Sequence, residues 1–196
     1  MSETNEILAL DLRVLEMMVD GLPAYLASDA TYWPMTGDNM PKLTIGGCLM
    51  RQERLQQLRN QISFADQARL DKSVDKFNGS LENQVVRFEG RAHDELHARL
   101  REWTTYLRDA TSKMATERAH YANIVDTRIV ITAIMNQLSQ PPYQLNARLA
   151  QDINHMDTRL KGQWQANEFV LDAVWGKAYE PTEYWWLYGC PKQCAK

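Results

Sequence analysis

The chain has 196 residues, a formal net charge of −3 and a pI near 5.8. That balance argues against a dedicated nucleic-acid binder, whose phosphate contacts need clustered Lys and Arg. Its most apolar run, Ile129 to Met135, covers 7 residues, against the ~20 needed to span a bilayer. Three cysteines, an odd number, do not make a disulfide framework. The opening Met1 to Glu6 is polar and acidic, unlike a signal peptide. These features lead to the expectation of a soluble, cytoplasmic protein with no nucleic-acid or membrane partner, folded as one domain over residues 1–196.

In chain order, residues 4–27 carry the first apolar stripe. Leu8, Leu12, Leu15, Val19, Leu22 and Leu26 are spaced 4-3-4-3-4, the seam of a helix in left-handed packing. Gly21 and Pro23 fall inside it, and the proline predicts a bend. A connection from Ser28 to Leu43 follows, rich in Pro, Gly, Asp and Asn, with Tyr32 and Trp33 expected to hold part of it against the bundle. The next helix starts near Thr44 and carries Ile45, Cys48, Leu55, Leu58, Ile62 and Ala65. Two turns compete for its end: one at Ser63 to Asp66, with Ser63 as a cap, the other at Asn78-Gly79-Ser80.

The longest signal runs from Leu70 to Met114. Leu70, Val74, Phe77, Leu81, Val85, Phe88, Ala92, Leu96, Leu100, Trp103, Leu107, Ala110 and Met114 recur with a mean step of 3.67. That is the period of one helix face. A single unbroken helix over this stretch would be roughly 67 Å long, and Leu96 and Leu100 at its centre are expected in the core. After a turn near Ser112 to Thr116, residues 117–139 are apolar nearly all round, which predicts the most buried helix of the set. Pro141-Pro142 stops it. Leu145, Leu149, Ile153, Met156, Leu160 and Trp164 mark a further helix. The predicted fold is all-α: an antiparallel bundle of four to five helices with one unusually long central helix.

The segment from about 165 to 196 is irregular and aromatic. Trp175, Tyr179, Tyr184, Trp185, Trp186 and Tyr188 are unlike a free tail, which is polar. It is predicted to pack on the bundle, with one of the adjacent Trp185 and Trp186 at the rim as a contact for a partner.

Metal sites in helical bundles draw on His and carboxylates of facing helices. His93 and His97 stand one turn apart on one face, Glu117 and His120 form Glu-x-x-His, and Asp152 and His155 form Asp-x-x-His. His93 and His97 are the leading metal candidates, with Glu117, His120, Asp152 and His155 as alternatives. The apolar seams carry no carboxylate or histidine, so histidines on a solvated or boundary face are the simpler reading. Thr44-Ile45-Gly46-Gly47 opens a helix whose N–H groups suit an anion, or whose glycines allow close packing. Cys190-Pro-Lys-Gln-Cys194 lacks a second pair and the spacing of a zinc or redox motif. No catalytic residue can be named, and no cofactor is expected.

The leading functional expectation is a non-enzymatic protein that binds a protein partner or itself. The first alternative is a hydrolase or oxidoreductase dependent on a divalent transition metal. The second is a small-molecule carrier with a cavity between helices.

Overall fold

The stripe from Leu70 onward is carried by two helices that meet at a corner. The structure, a computed structural model, describes residues 3–37, 40–111 and 118–192. In it α1 spans Glu3–Ala27, α2 Ile45–Gln57, α3 Phe64–Glu82, α4 Val85–Thr111, α5 Arg118–Leu138 and α6 Ala147–Gly162. Short 3-10 turns occupy Arg59–Gln61, Ala173–Ala178 and Trp185–Leu187. Two three-residue strands, β1 at Trp164–Ala166 and β2 at Gly189–Pro191, pair antiparallel. The fold is an all-α helical bundle.

Of the two turns that compete to end the α2 region, the one at Ser63 forms. The Ser63 hydroxyl accepts from the Asp66 N–H at 3.1 Å, capping α3, and Asn78-Gly79-Ser80 lies inside that helix. The unbroken long helix is corrected: the chain turns at Asn83 and Gln84. Phe77 and Phe88 meet edge to face with ring centroids 6.3 Å apart. On one straight helix, eleven residues would separate them by about 16 Å. The periodicity survives because α3 and α4 each bury the same stripe, α3 against α1 and α4 against α5 and α6. A straight rod of ~67 Å would far overhang α1, which at 25 residues is about 37 Å long. The described residues thus hold six α-helices where four to five were expected. Met114 and the turn near Ser112 to Thr116 lie outside them.

The other stripes pack as their spacing requires. Leu8, Leu12, Leu15, Val19, Leu22 and Leu26 are all buried, and α1 continues through Pro23. In α5, Val125, Ile129, Val130, Ile131, Ala133, Ile134 and Leu138 are buried. Leu96 is fully buried, but Leu100 is only half-buried, because it faces a groove between α4 and α6. The short α2 is central, touching α1, α3, α4, α5 and the Ala173–Ala178 turn. Gly46 permits that approach, since a Cβ there would collide with Val130 Cγ1 and lie 2.8 Å from Ile134 Cδ1.

The aromatic tail is part of the fold. Beyond the β1–β2 pairing, the Tyr121 hydroxyl donates to the Trp186 carbonyl at 2.7 Å. Trp186 is 3% exposed. Trp185 is the rim residue, half-buried, with its ring edge-to-face on Trp164 at 5.3 Å. In the other irregular segment, Trp33 and Leu43 exchange backbone hydrogen bonds at 3.0 and 2.8 Å. Among the described residues no helix is long and apolar enough to cross a membrane.

Candidate functional site

The histidines singled out by spacing occupy different environments. On α4, His93 is half-buried and its Nδ1 lies 2.9 Å from the Glu89 carbonyl. A carbonyl only accepts, so Nδ1 carries the proton and Nε2 is free to accept from the Asn146 N–H at 3.3 Å. Both ring nitrogens are thereby engaged in holding the approach to α6, where Glu89 also accepts from the Gln144 N–H. His97, one turn on, is exposed. His120 is exposed on α5 with its ring 5.7 Å from Tyr106, and His155 is exposed on α6. Glu117 lies outside the described residues. Among those described, no three His, Cys, Asp or Glu side chains come together to hold a metal ion.

Two of the candidates do converge, on a groove of about 670 Å³ between α4 and α6. Leu100, Leu149 and Met156 form its apolar floor. His97 and Arg101 stand on the α4 rim, Arg148 and Asp152 on the α6 rim. The groove exists because Leu100, although on the stripe, faces a gap left by the divergence of α6. Arg101 and Arg148 form no ion pair with any described residue, which leaves two guanidinium groups flanking an apolar trough. Of the adjacent Trp185 and Trp186, one of which was expected at the rim as a contact, Trp186 is the residue sealed inside. Its neighbour remains at the rim, where the Lys161 ammonium lies 5.1 Å from the Trp185 ring centre.

Beneath this surface lies a cluster of charges that spacing alone did not single out. Glu95 on α4 is 0% exposed. It accepts from the Gly46 N–H at 2.8 Å, with Arg99 at 3.4 Å from its other oxygen. Burial raises its pKa, and Arg99 and the Gly46 bond oppose that shift. The Thr44 hydroxyl accepts from the Gly47 N–H at 2.9 Å. At this helix start the glycine serves close packing, and the positive end of α2 faces the chain's own Glu95 carboxylate.

Asp11 of α1 receives a two-pronged contact from Arg54 of α2, one arm at 2.7 Å. Arg51 Nε lies 3.2 Å from the same carboxylate, and the Arg54 guanidinium covers the Trp175 ring at 4.0 Å. On α5, Arg128 grips Asp157 of α6 through arms of 2.9 and 2.6 Å and covers Trp186 at 4.1 Å. Arg128 is thus a paired structural charge. In sequence each of these groups sits next to a stripe residue, Glu95 beside Leu96, Arg54 beside Leu55 and Asp11 beside Leu12. That adjacency was the available signal.

The chain matches no family model, and no curated protein or solved structure is similar to it.

Proposed function

We propose that the protein works by binding a protein partner, and that the groove between α4 and α6 receives an acidic amphipathic helix of that partner. The observation that carries this reading is the pair Arg101 and Arg148, without an ion pair among the described residues, on opposite rims of an apolar floor. A helix laid in such a trough places its i, i+3, i+4 and i+7 anchors on Leu100, Leu149 and Met156. Acidic residues on its flanks face the two guanidiniums, which suit carboxylates because they present a planar fork of donors. Electrostatic complementarity of this kind speeds encounter and fixes orientation.

The apolar stripes that suggested association are consumed largely by the chain's own core, so they do not locate the contact. Among the described residues the large apolar side chains left outside, Leu10, Tyr32, Phe64 and Val86, sit on three different helices and the connection after α1, and scattered single residues are ordinary. Selection from a displayed library of helical peptides tests the groove. Enriched peptides are expected to carry apolar anchors at helical spacing with acidic flanks, and to lose binding to the Arg101→Glu/Arg148→Glu protein. Enrichment of peptides without acidic flanks, or binding that survives both reversals, would reject the reading. Sedimentation of the chain alone over a wide concentration range distinguishes a second copy from a foreign partner.

A further inference from the structure

A second cavity, of about 490 Å³, opens between α2, α4, α5 and the connection that follows α1. Charges of both signs line it: Arg51 from α2, Arg99 and Glu102 from α4, Asp126 from α5 and Lys42 from the connection. Tyr32 forms one side, its ring centre 5.5 Å from the Arg99 guanidinium and 5.8 Å from the Lys42 ammonium. None of these residues belongs to the α4–α6 groove.

The arginines are held from behind. Arg51 donates to the Gly47 carbonyl at 3.1 Å and leans on Asp11. Arg99 stands between Glu95 and Glu102, at 3.4 Å from each, longer than the 2.7–2.9 Å of a strong charged contact. Asp126 is different. It lies open to the crevice and forms no hydrogen bond with any described residue. The enclosing walls push its pKa up, while Arg54, Arg51 and Arg99 pull it down. Asp126 and the two arginines line one cavity with no hydrogen bond or ion pair between them.

We propose that this crevice binds a short carboxylic acid with a hydrogen-bond donor on the adjacent carbon, an α-amino or α-hydroxy acid. Its carboxylate sits between Arg51 and Arg99, and its donor rests on Asp126. Guanidinium groups only donate and an ionised carboxylate only accepts, so the occupant must present an acceptor to one wall and a donor to the other. A simple carboxylate would set a second negative charge beside Asp126 and give it no donor. A simple amine would add a further cation beside Arg51 and Arg99 and give them no acceptor. Sites built on buried polar partners reject analogues that lack one of them. The volume falls within the ~300–1,000 Å³ of small-molecule sites.

Saturation-transfer NMR and calorimetric titration of the full chain decide it. The probes are glycine, L-serine, glycolate and L-lactate, against propionate and ethylamine as analogues that lack one group. At least one α-substituted acid is expected to bind, with propionate and ethylamine weaker by about tenfold or more. Asp126→Leu is expected to lose about the same factor. If that variant does not fold, Asp126→Asn replaces it, with amino acids weakened more than hydroxy acids because only the former lose a charge pair. Preference between serine and lactate in the unmodified chain separates the amine from the hydroxyl as donor. Propionate binding as well as lactate, affinity unchanged in both Asp126 variants, or no binding by any of the four acids at ~10 mM would overturn the proposal.

Discussion

Two of the ion pairs that tie α1 to its neighbours teach different things. Near one end Asp11 meets Arg54 with side chains 7% and 9% exposed. Nine residues on, Asp20 meets Lys76 at 2.6 Å with side chains 69% and 48% exposed. Contact between opposite charges is close in both. In water the attraction is screened and two mobile side chains must be fixed, so the exposed pair contributes ~0–1 kcal/mol. In the interior each charge has lost its hydration, and the partner is what makes its presence tolerable. Arg54 has a further task, because its flat guanidinium roofs Trp175. Depth, more than contact distance, decides what a charge does in this fold.

The sharpest way to break that comparison is to remove one buried partner. Arg54→Ala leaves the desolvated Asp11 with Arg51 alone as its cation, 3.2 Å away, and chemical denaturation is expected to show a loss toward the lower end of ~3–5 kcal/mol. Replacing both members with apolar side chains, Asp11→Leu with Arg54→Met, is expected to recover part of it, less what Arg51 loses with Asp11. A double variant as unstable as the single one would mean that the pair, and not the desolvated survivor, carries the energy. The same rule of depth is tested without charge on α4. Leu96→Ala, fully buried, is expected to cost ~2–5 kcal/mol, and Leu100→Ala clearly less, because that side chain is already partly exposed to the groove.

Glu53 is the intermediate case, a half-buried carboxylate with no ion pair among the described residues. Burial, with Glu183 adding to it and a bond from Asn136 opposing it, raises its pKa from 4.5 to about 7. Between those values the folded state binds more protons than the unfolded one, so stability falls as pH rises through that window. Glu53→Gln should therefore match the parent near pH 4.5 and exceed it above pH 7. The gain is on the order of 1–2 kcal/mol, because each pKa unit is worth about 1.4 and partial exposure discounts it. Urea titrations at pH 4.5 and 8 measure the difference, and equal stabilities at both would contradict it. The smallest effect is at the surface, where Lys76→Ala is expected to change stability by ~0.2–1 kcal/mol and less in high salt.

Much of this architecture can be read from the residues. The 4-3-4-3-4 seam of α1, the Ser63 cap, the proline stop after α5 and the buried aromatic tail are local patterns whose physics acts within a few positions. The corner at Asn83–Gln84 is not local. A stripe of constant period fits a straight or a folded pair of helices equally well, and only the finite length of α1 and α5 decides between them. The candidate sites were less legible for a related reason. His93 looked like a ligand by spacing, but its ring nitrogens answer to Glu89 and to Asn146, 53 residues away. Nothing near Glu95 or Asp11 in sequence marks either as buried, since what surrounds each one comes from other helices. Grooves and crevices arise where two helices diverge, and no residue records that divergence.

The bond between Glu95 and Gly46 closes a loop of 49 residues, and this has a bearing on the order in which the chain folds. The first turn of α2 lacks its counter-charge until α4 is formed and docked, and Gly46 finds its seat only against Val130 and Ile134 of α5. A thirteen-residue helix is marginal alone in water. α2 is therefore expected to consolidate late, after its surroundings have been built. Conservative changes at Glu95 or Gly46 should then accelerate unfolding while leaving the refolding rate nearly untouched. Once seated, the same helix should be among the last to exchange its amide hydrogens, because opening it requires its neighbours to part.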